Sequence, residues 1–537
     1  MYELGKERCD APGGIDIESG YCSGMTVHSS ADPQGSSFTH REILVVFAGI
    51  ALAMLMAALD QTIVATALPV IAADLGGFEQ ISWIVSAYLL SSTATTLLYG
   101  KLSDLHGRRR LLEIGLVLFI IGSGLCAAAG VFWQLVAARA VQGAGGGGLM
   151  ALSMTIIGDM VAPRERGRYQ GYIAAIFATA SVAGPVLGGY LTEYLSWHWI
   201  FLINLPLGAI ALLLAHRTLG RLPVRHGQAR VDYWGAVLMV AGVVCLLFLV
   251  TGGGNIFPWL SATALSLGVG SVVLLLLFVQ RERRAPEALL PPRIFKSSVI
   301  TIGFCMIGVT AMVLIGVTIF LPLYLQVVAD ASVSSSGLLL LPLVGGVTVG
   351  AVIGGRLVSH TGRYKIFPIL GLATAAVALA MLGLLVGQLG YLGDVLILVL
   401  LGVGLGHVMP VITVAVQNAA GPGDLGTATS ALSFFRSLGG AIGVAVFGAV
   451  LTARSAEVMA KAGQDVEIET LIEQGMTALE GLSPALNQAV TAAFATAFAE
   501  IFFLATGITM VAFGLSWFLK ELPLRSNRSR RPDIALE

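Results

Sequence analysis

The chain has 537 residues, 56% of them hydrophobic and 12% charged, with 31 basic residues balancing 31 acidic ones. Soluble domains carry roughly 25% charged residues, so this composition excludes a soluble enzyme or a nucleic-acid binder. Repeated apolar runs, each able to cross a hydrocarbon core of about 30 Å, indicate an all-α integral membrane protein. The short alternating segments of a transmembrane β-barrel are absent.

Met1–His40 is polar and rich in Gly, Ser and Asp, with no cleavable signal peptide, so residues 1–42 are expected to form a disordered cytoplasmic tail. Cys9 and Cys22 lie in that tail, and Cys126, Cys245 and Cys305 lie in apolar runs. Neither disulfides nor a metal site are expected from such a distribution.

Fourteen spans are expected near 43–73, 81–100, 111–130, 132–158, 169–192, 197–216, 232–252, 259–280, 298–327, 336–358, 366–388, 392–418, 426–452 and 491–519. Cytoplasmic loops should hold the Lys and Arg residues. With this count every basic residue falls on one side, except Arg454 and Lys461 on the other and Arg139 and Arg436 inside spans. An even span number then puts both termini in the cytoplasm, with residues 521–537 as a second cytoplasmic tail. The long external loop, 453–488, contains EVMAKAGQDVEIETLIEQGM, whose spacing predicts a short amphipathic surface helix. It is a plain solvated loop, a cavity lid or a contact for a periplasmic adaptor protein.

GKLSDLHGRRR (Gly100–Arg110) is echoed by GRLVSHTGRYK (Gly355–Lys365), and Gly143, Pro163 and Gly167 by Gly402, Pro422 and Gly426. The echoes predict two related six-helix halves, 43–216 and 293–520. Residues 217–292 then form a linker holding spans seven and eight as an inserted two-helix hairpin. Paired repeats of this kind build transporters, with substrate bound between them near the midplane.

LDQTIVATALP (Leu59–Pro69), GKLSDLHGRRR, RAVQGAGGGG (Arg139–Gly148), ASVAGPVLGG (Ala180–Gly189) and WHWIFLINLPLG (Trp197–Gly208) occur in order. They resemble the first-helix, loop, fourth-helix, fifth-helix and sixth-helix motifs of the major facilitator superfamily, in its fourteen-span drug:proton antiporter branch. His198 stands where that branch usually has Arg. The resemblance implies the major facilitator fold and a multidrug exporter, probing no enzyme chemistry and needing no cofactor beyond a proton gradient.

Asp60 is the central candidate. An ionised acid at membrane depth needs a partner, a proton or a water-filled cavity. At about 1.5 Å per residue it lies roughly 26 Å along the first span, and Arg139 lies roughly 10 Å into the fourth from the outer surface. The depths match, so Asp60 and Arg139 are expected to interact. Either they form a permanent ion pair that fixes packing, or Asp60 titrates during transport as a proton-coupling acid. Gln142, one turn from Arg139, is a further polar contact.

The glycine run Gly143–Gly148 lies within a span, without the strand–loop–helix context of a phosphate cradle, and is expected to let helices approach closely. In the loop motif, Gly100, Asp104, Gly107 and Arg108 form the implied cytoplasmic gate. Asp104 is expected at the N-terminus of the helix starting near Gly426, where a helix dipole favours an anion. Ser359 replaces Asp104 in the second copy, which predicts a one-sided latch. Gly184, Pro185 and Gly188 form the implied antiporter motif. His407 and Arg436, near the midplane, are expected as structural residues or as a second proton or polar site.

The C-terminal spans are read as free of acids before Glu500; the resemblance implies extra acids there in members that take divalent cations, so a divalent cation is not expected as substrate. Met54, Met56, Tyr88 and Tyr324 are candidate cavity contacts. The expected function is proton-coupled export of lipophilic drugs or toxic compounds, cationic or neutral, across the cytoplasmic (inner) membrane, by a protein that works as a monomer. A dedicated exporter of an endogenous antibiotic or siderophore, or a non-transporting membrane sensor, are the alternatives.

Overall fold

The computed structural model describes residues 40–75, 82–221, 232–254, 256–285, 288–329, 340–388, 390–421, 423–461 and 484–524. The expected N-terminal tail up to residue 39, and most of the expected amphipathic surface helix, lie outside them. Among the described residues the chain is helical throughout, with one isolated bridge between Gly253 and Phe257.

The helices are α1 (His40–Leu75), α2 (Ser82–His106), α3 (Arg108–Ala127), α4 (Phe132–Met160), α5 (Pro163–Tyr194), α6 (Trp199–Leu202) and α7 (Asn204–Thr218). They continue with α8 (Tyr233–Gly252), α9 (Ala262–Glu282), α10 (Ser298–Val327), α11 (Leu340–Thr361) and α12 (Ile366–Leu384). The last three are α13 (Tyr391–Ala419), α14 (Leu425–Lys461) and α15 (Pro484–Trp517). Local chemistry sets several ends. Pro163 opens α5, where its missing N–H costs no helical bond. Asp232 and Ser261 accept from Gly235 N and Ala264 N to cap α8 and α9. Gly107, at φ 91°, turns the chain between α2 and α3 in a conformation that favours glycine.

Thirteen stretches of the described residues are long and apolar enough to span a membrane, with α6 and α7 counted as one. The expected second span, α2, is not among them. Its 25 residues include the polar series Ser91, Ser92, Thr93, Thr95 and Thr96, which lowers its hydropathy. Helix α14 is longer than expected: it passes Thr452 without a break and reaches Lys461, so the expected external loop begins as helix.

Apolar side chains of α1 to α5 and α7 share one core, from Val46 and Ile50 to Leu149 and Ala211. A second core joins α10 to α15, from Val313 and Leu325 to Phe447 and Phe502. A third gathers α2, α8 and α9 against α10, α13 and α14. The two larger sets meet where α11 packs on α5 and where α14 packs on α2 and α4.

Backbones approach closely at both meetings. A Cβ on Gly100 would overlap Ser430, and Gly167 and Gly355 face each other with no room for a side chain on either. These are members of the sequence echoes: Gly100 and Gly355 from one pair, Gly167 and, beside Gly100, Gly426 from the other.

Candidate functional site

Asp60 sits on α1 with its side chain wholly buried. An isolated carboxylate there would be costly, and α4 and α7 supply donors to it. Its Oδ2 accepts from Arg139 Nη1 of α4 at 2.6 Å. Its Oδ1 accepts from Gln142 Nε2 at 2.7 Å and from Asn204 Nδ2 of α7 at 3.0 Å. Arg139 also donates to Gln142 Oε1 at 2.6 Å and, through Nε, to the Ile84 carbonyl at 3.3 Å. Gln142 and Asn204 both donate to Ser123 Oγ of α3. Every group facing the carboxylate donates, so this arrangement suits the ionised acid. A proton on Asp60 would require Arg139 or the carboxyl to move.

The sequence brought Asp60, Arg139 and Gln142 to notice; Asn204 and Ser123 were missed. The available signal was their polarity inside apolar runs, and Asn204 stands within the quoted sixth-helix motif. Trp197 of the same motif donates from Nε1 to Asp74 Oδ2 at 2.8 Å and stacks on His198, tying the start of this segment to the end of α1.

The tyrosine ring of Tyr88 lies 4.4 Å from the Arg139 guanidinium carbon, a cation–π distance. Tyr88 also lines a cavity of about 1240 Å³ between the two sets of helices. The cavity is bounded by α1, α2, α4, α5, α8, α10, α11, α13 and α14. Asp60 does not reach it; its neighbour Gln61 does. Of the four expected contacts only Tyr88 lines the cavity. Met54 and Met56 are packed in the first core and Tyr324 in the second, where apolar burial is better satisfied than at a wet wall. Gly146 and Gly147 of the glycine run form part of the wall, while Gly145 lies against α3.

At the end of the bundle carrying the basic loops, two sets of polar contacts join the two sets of helices, here called latches. Asp104 accepts from Gly426 N at 3.2 Å, from Thr427 N at 3.0 Å and from Thr427 Oγ1 at 3.0 Å. These are unpaired N–H groups at the N-terminus of α14, where the helix dipole favours an anion. Arg108 holds the acid from behind, with Nη2 at 2.5 Å from Asp104 and Nε at 2.8 Å from Asp159.

The other meeting is also latched, contrary to the one-sided arrangement expected. Ser359 Oγ turns back to its own helix at Gly355 O. Arg164 of α5 instead donates to the Ser359 and His360 carbonyls at 3.1 Å each. Those carbonyls end α11, where a cation is the favourable partner. One latch is thus an anion on a helix N-terminus, the other a cation on a helix C-terminus.

Gly184 and Gly188 of α5 face α1, where a Cβ would overlap Thr62 and Thr66 respectively; Pro185 between them points outward. His407 is half-buried, with Nδ1 at 2.7 Å from the Val403 carbonyl, against Gly354 and Gly371 and off the cavity lining. Arg436 does line the cavity. The expectation of no C-terminal acid before Glu500 fails: Asp394, in the first turn of α13, is 2% exposed and lies beside the Tyr324 hydroxyl. No group of three or more His, Cys, Asp and Glu side chains able to hold a metal occurs among the described residues.

The chain is 37% identical to the multidrug transporter protein MdtP of Bacillus subtilis over 421 residues, 77% of this chain and 76% of that protein. It is 32% identical to the MFS-type efflux pump LUC4 of a Fusarium species over 496 residues, 90% of this chain and 88% of that one. The crystal structure of the human organic anion transporter MFSD10 matches with a TM-score of 0.58 at 18% identity, covering 89% of this chain and 99% of that one; the likeness is one of fold alone. The family model for the Major Facilitator Superfamily matches residues 50–444, and the chain belongs to that superfamily.

Proposed function

We propose that the protein is a proton-coupled antiporter that exports lipophilic compounds across the cytoplasmic membrane. Being a member of a transporter superfamily, it moves solutes rather than transforming them. The efflux reading draws on relatives named as a multidrug transporter and an efflux pump. In this reading α2 is also a span, bringing the count to fourteen, and the basic loops and both termini face the cytoplasm. Helices α1 to α7 and α10 to α15 then act as two rocking halves, with α8 and α9 as an inserted hairpin.

The observation that carries the coupling is the position of Tyr88, whose ring contacts Arg139 on one side and the cavity on the other. With both latches made at the basic end, the structure is taken in this reading as an outward-facing state. A proton reaching Asp60 in this state neutralises the carboxylate and frees Arg139 from its counter-ion. Tyr88 is the side chain placed to transmit that change to the cavity wall, and substrate leaves. The halves then rock inward, Asp60 returns its proton to the cytoplasm, and substrate enters.

The cycle is proposed for a single chain, with the external segment 453–488 as the place where a periplasmic adaptor protein would dock. Export measured in inverted vesicles with an imposed pH gradient tests the reading. Substrate accumulation that collapses with the gradient is expected; accumulation indifferent to it contradicts proton coupling.

A further inference from the structure

We propose that the cavity takes organic anions, an acidic headgroup on a lipophilic body, and that Arg436 anchors the acid. The inference rests on the export reading above and assigns its substrate class. It departs from the cationic or neutral substrates that the resemblance suggests.

Among the described residues, Arg436 is the one charged residue lining the cavity, and no Asp or Glu lines it. It stands on α14 roughly 17 Å from the start of that helix at about 1.5 Å per residue, near the middle of a bilayer of about 30 Å. A guanidinium at that depth is costly without a counter-charge. Among the described residues no carboxylate forms an ion pair with it; the centroid of the Phe177 ring lies 6.0 Å from the guanidinium carbon. Arg139 shows how this chain satisfies a buried arginine, with a carboxylate, an amide and a carbonyl all accepting from it. Arg436 has none of these.

Gln170 gives a second, independent indication. It is 4% exposed, lines the same cavity, and its Nε2 has no hydrogen-bond partner. The hydroxyl groups of Thr318, Thr348, Thr413 and Ser433, also on the wall, donate to carbonyls of their own helices. The unspent hydrogen-bonding capacity at the wall therefore includes a fixed positive charge and an amide donor, and no negative charge. A carboxylate or sulfonate satisfies both, and a guanidinium is well suited to binding such groups with paired N–H donors. The remainder of the wall, with Met150, Met154, Phe177 and Phe320, suits an apolar body. Exchange of such an anion for a proton moves positive charge inward on both legs, so a negative interior potential adds to the pH gradient as a driving force.

The test uses the full chain in proteoliposomes with an imposed pH gradient and three radiolabelled probes: naphthalenesulfonate, naphthalenesulfonamide and naphthylmethylammonium. The wild type is expected to transport the sulfonate in preference to the other two, and faster with a potential imposed in the favourable sense. Arg436→Gln is expected to reduce the sulfonate-to-sulfonamide preference about tenfold, the size of one charge-assisted hydrogen bond. Arg436→Lys, which keeps the charge, is expected to retain most of the preference and guards against a Gln variant that does not fold. Gradient-driven transport of the ammonium or the sulfonamide with the sulfonate excluded overturns the anion assignment and leaves the export reading standing. An unchanged preference in Arg436→Gln overturns the role of Arg436. Transport of no probe under any gradient overturns both readings.

Discussion

Arg139 Nη1 stands 2.6 Å from Asp60 Oδ2, with the two side chains 1% and 0% exposed. Removing one member of such a pair strands the other charge, at a cost of about 3–5 kcal/mol. Arg139→Gln should therefore lower the unfolding temperature of the purified protein sharply. The double variant Asp60→Asn/Arg139→Gln should recover much of that loss, because no uncompensated charge remains. Thermal unfolding of Arg139→Gln, Asp60→Asn and the double variant in one detergent measures the coupling between the sites. Additive losses would show that the two charges do not support each other.

Tyr88 tests how the buried site communicates with the cavity. Tyr88→Phe keeps the ring over Arg139 and should leave export close to wild type. Tyr88→Ala removes both the cation–π contact and the wall, and should reduce gradient-driven export about tenfold or more. Export rates in proteoliposomes compare the two. Equal losses would place the tyrosine's role in its hydroxyl rather than its ring.

The two latches make opposite demands on charge. Asp104→Asn weakens an anion at a helix N-terminus, and Arg164→Gln removes a cation from a helix C-terminus, each by about 1–2 kcal/mol. That corresponds to about a five- to thirtyfold shift in the balance between the closed and open basic end. The shift is measurable with Thr413→Cys as a reporter on the cavity wall. Labelling by an impermeant maleimide from the cytoplasmic side should rise in both latch variants. No change in either would show that the apolar contacts alone keep this end closed.

The hairpin formed by α8 and α9 has its own pH-sensitive end. Asp232 accepts from Arg281 Nε at 2.9 Å and caps α8 through Gly235 N at 3.1 Å. The Arg281 hydrogen bond, helped by that cap, holds its carboxyl below the usual carboxylate value. The stabilisation is therefore fully present above the ordinary carboxylate range and is lost as pH falls through the lowered folded-state value. Asp232→Ala should cost about 0.5–2 kcal/mol through the lost cap at neutral pH. Wild type and variant should converge in thermal stability as the pH is lowered; a constant difference down to strong acid would contradict this.

Much of this was legible in the sequence because it depends on local or repeated patterns. Apolar length marked most spans, and equal depth matched Asp60 with Arg139. The repeat offsets paired the loop at Gly100 with the one at Gly355, which meet α14 and α5 at corresponding places. What escaped depends on contacts between helices distant in sequence. Asn204 joins Asp60 only because α7 packs beside α1 and α3, and nothing in its own apolar neighbourhood says so. Met54 and Met56 point into a core because of the rotation of α1, and their composition alone could not separate core from cavity. Asp394 was overlooked at the mouth of an apolar run. The second latch was missed because Ser359 was compared with Asp104, while the charge that replaces it comes from Arg164 on the opposite helix.

The account turns on Asp60 as the group that exchanges the proton. The direct measurement is substrate transport by Asp60→Asn in proteoliposomes, under an imposed pH gradient and, separately, as gradient-free exchange of labelled for unlabelled substrate. The account predicts that gradient-driven accumulation is abolished while exchange persists. Gradient-driven accumulation at the wild-type level would contradict it and leave Asp60 and Arg139 as a pair that only holds helices together.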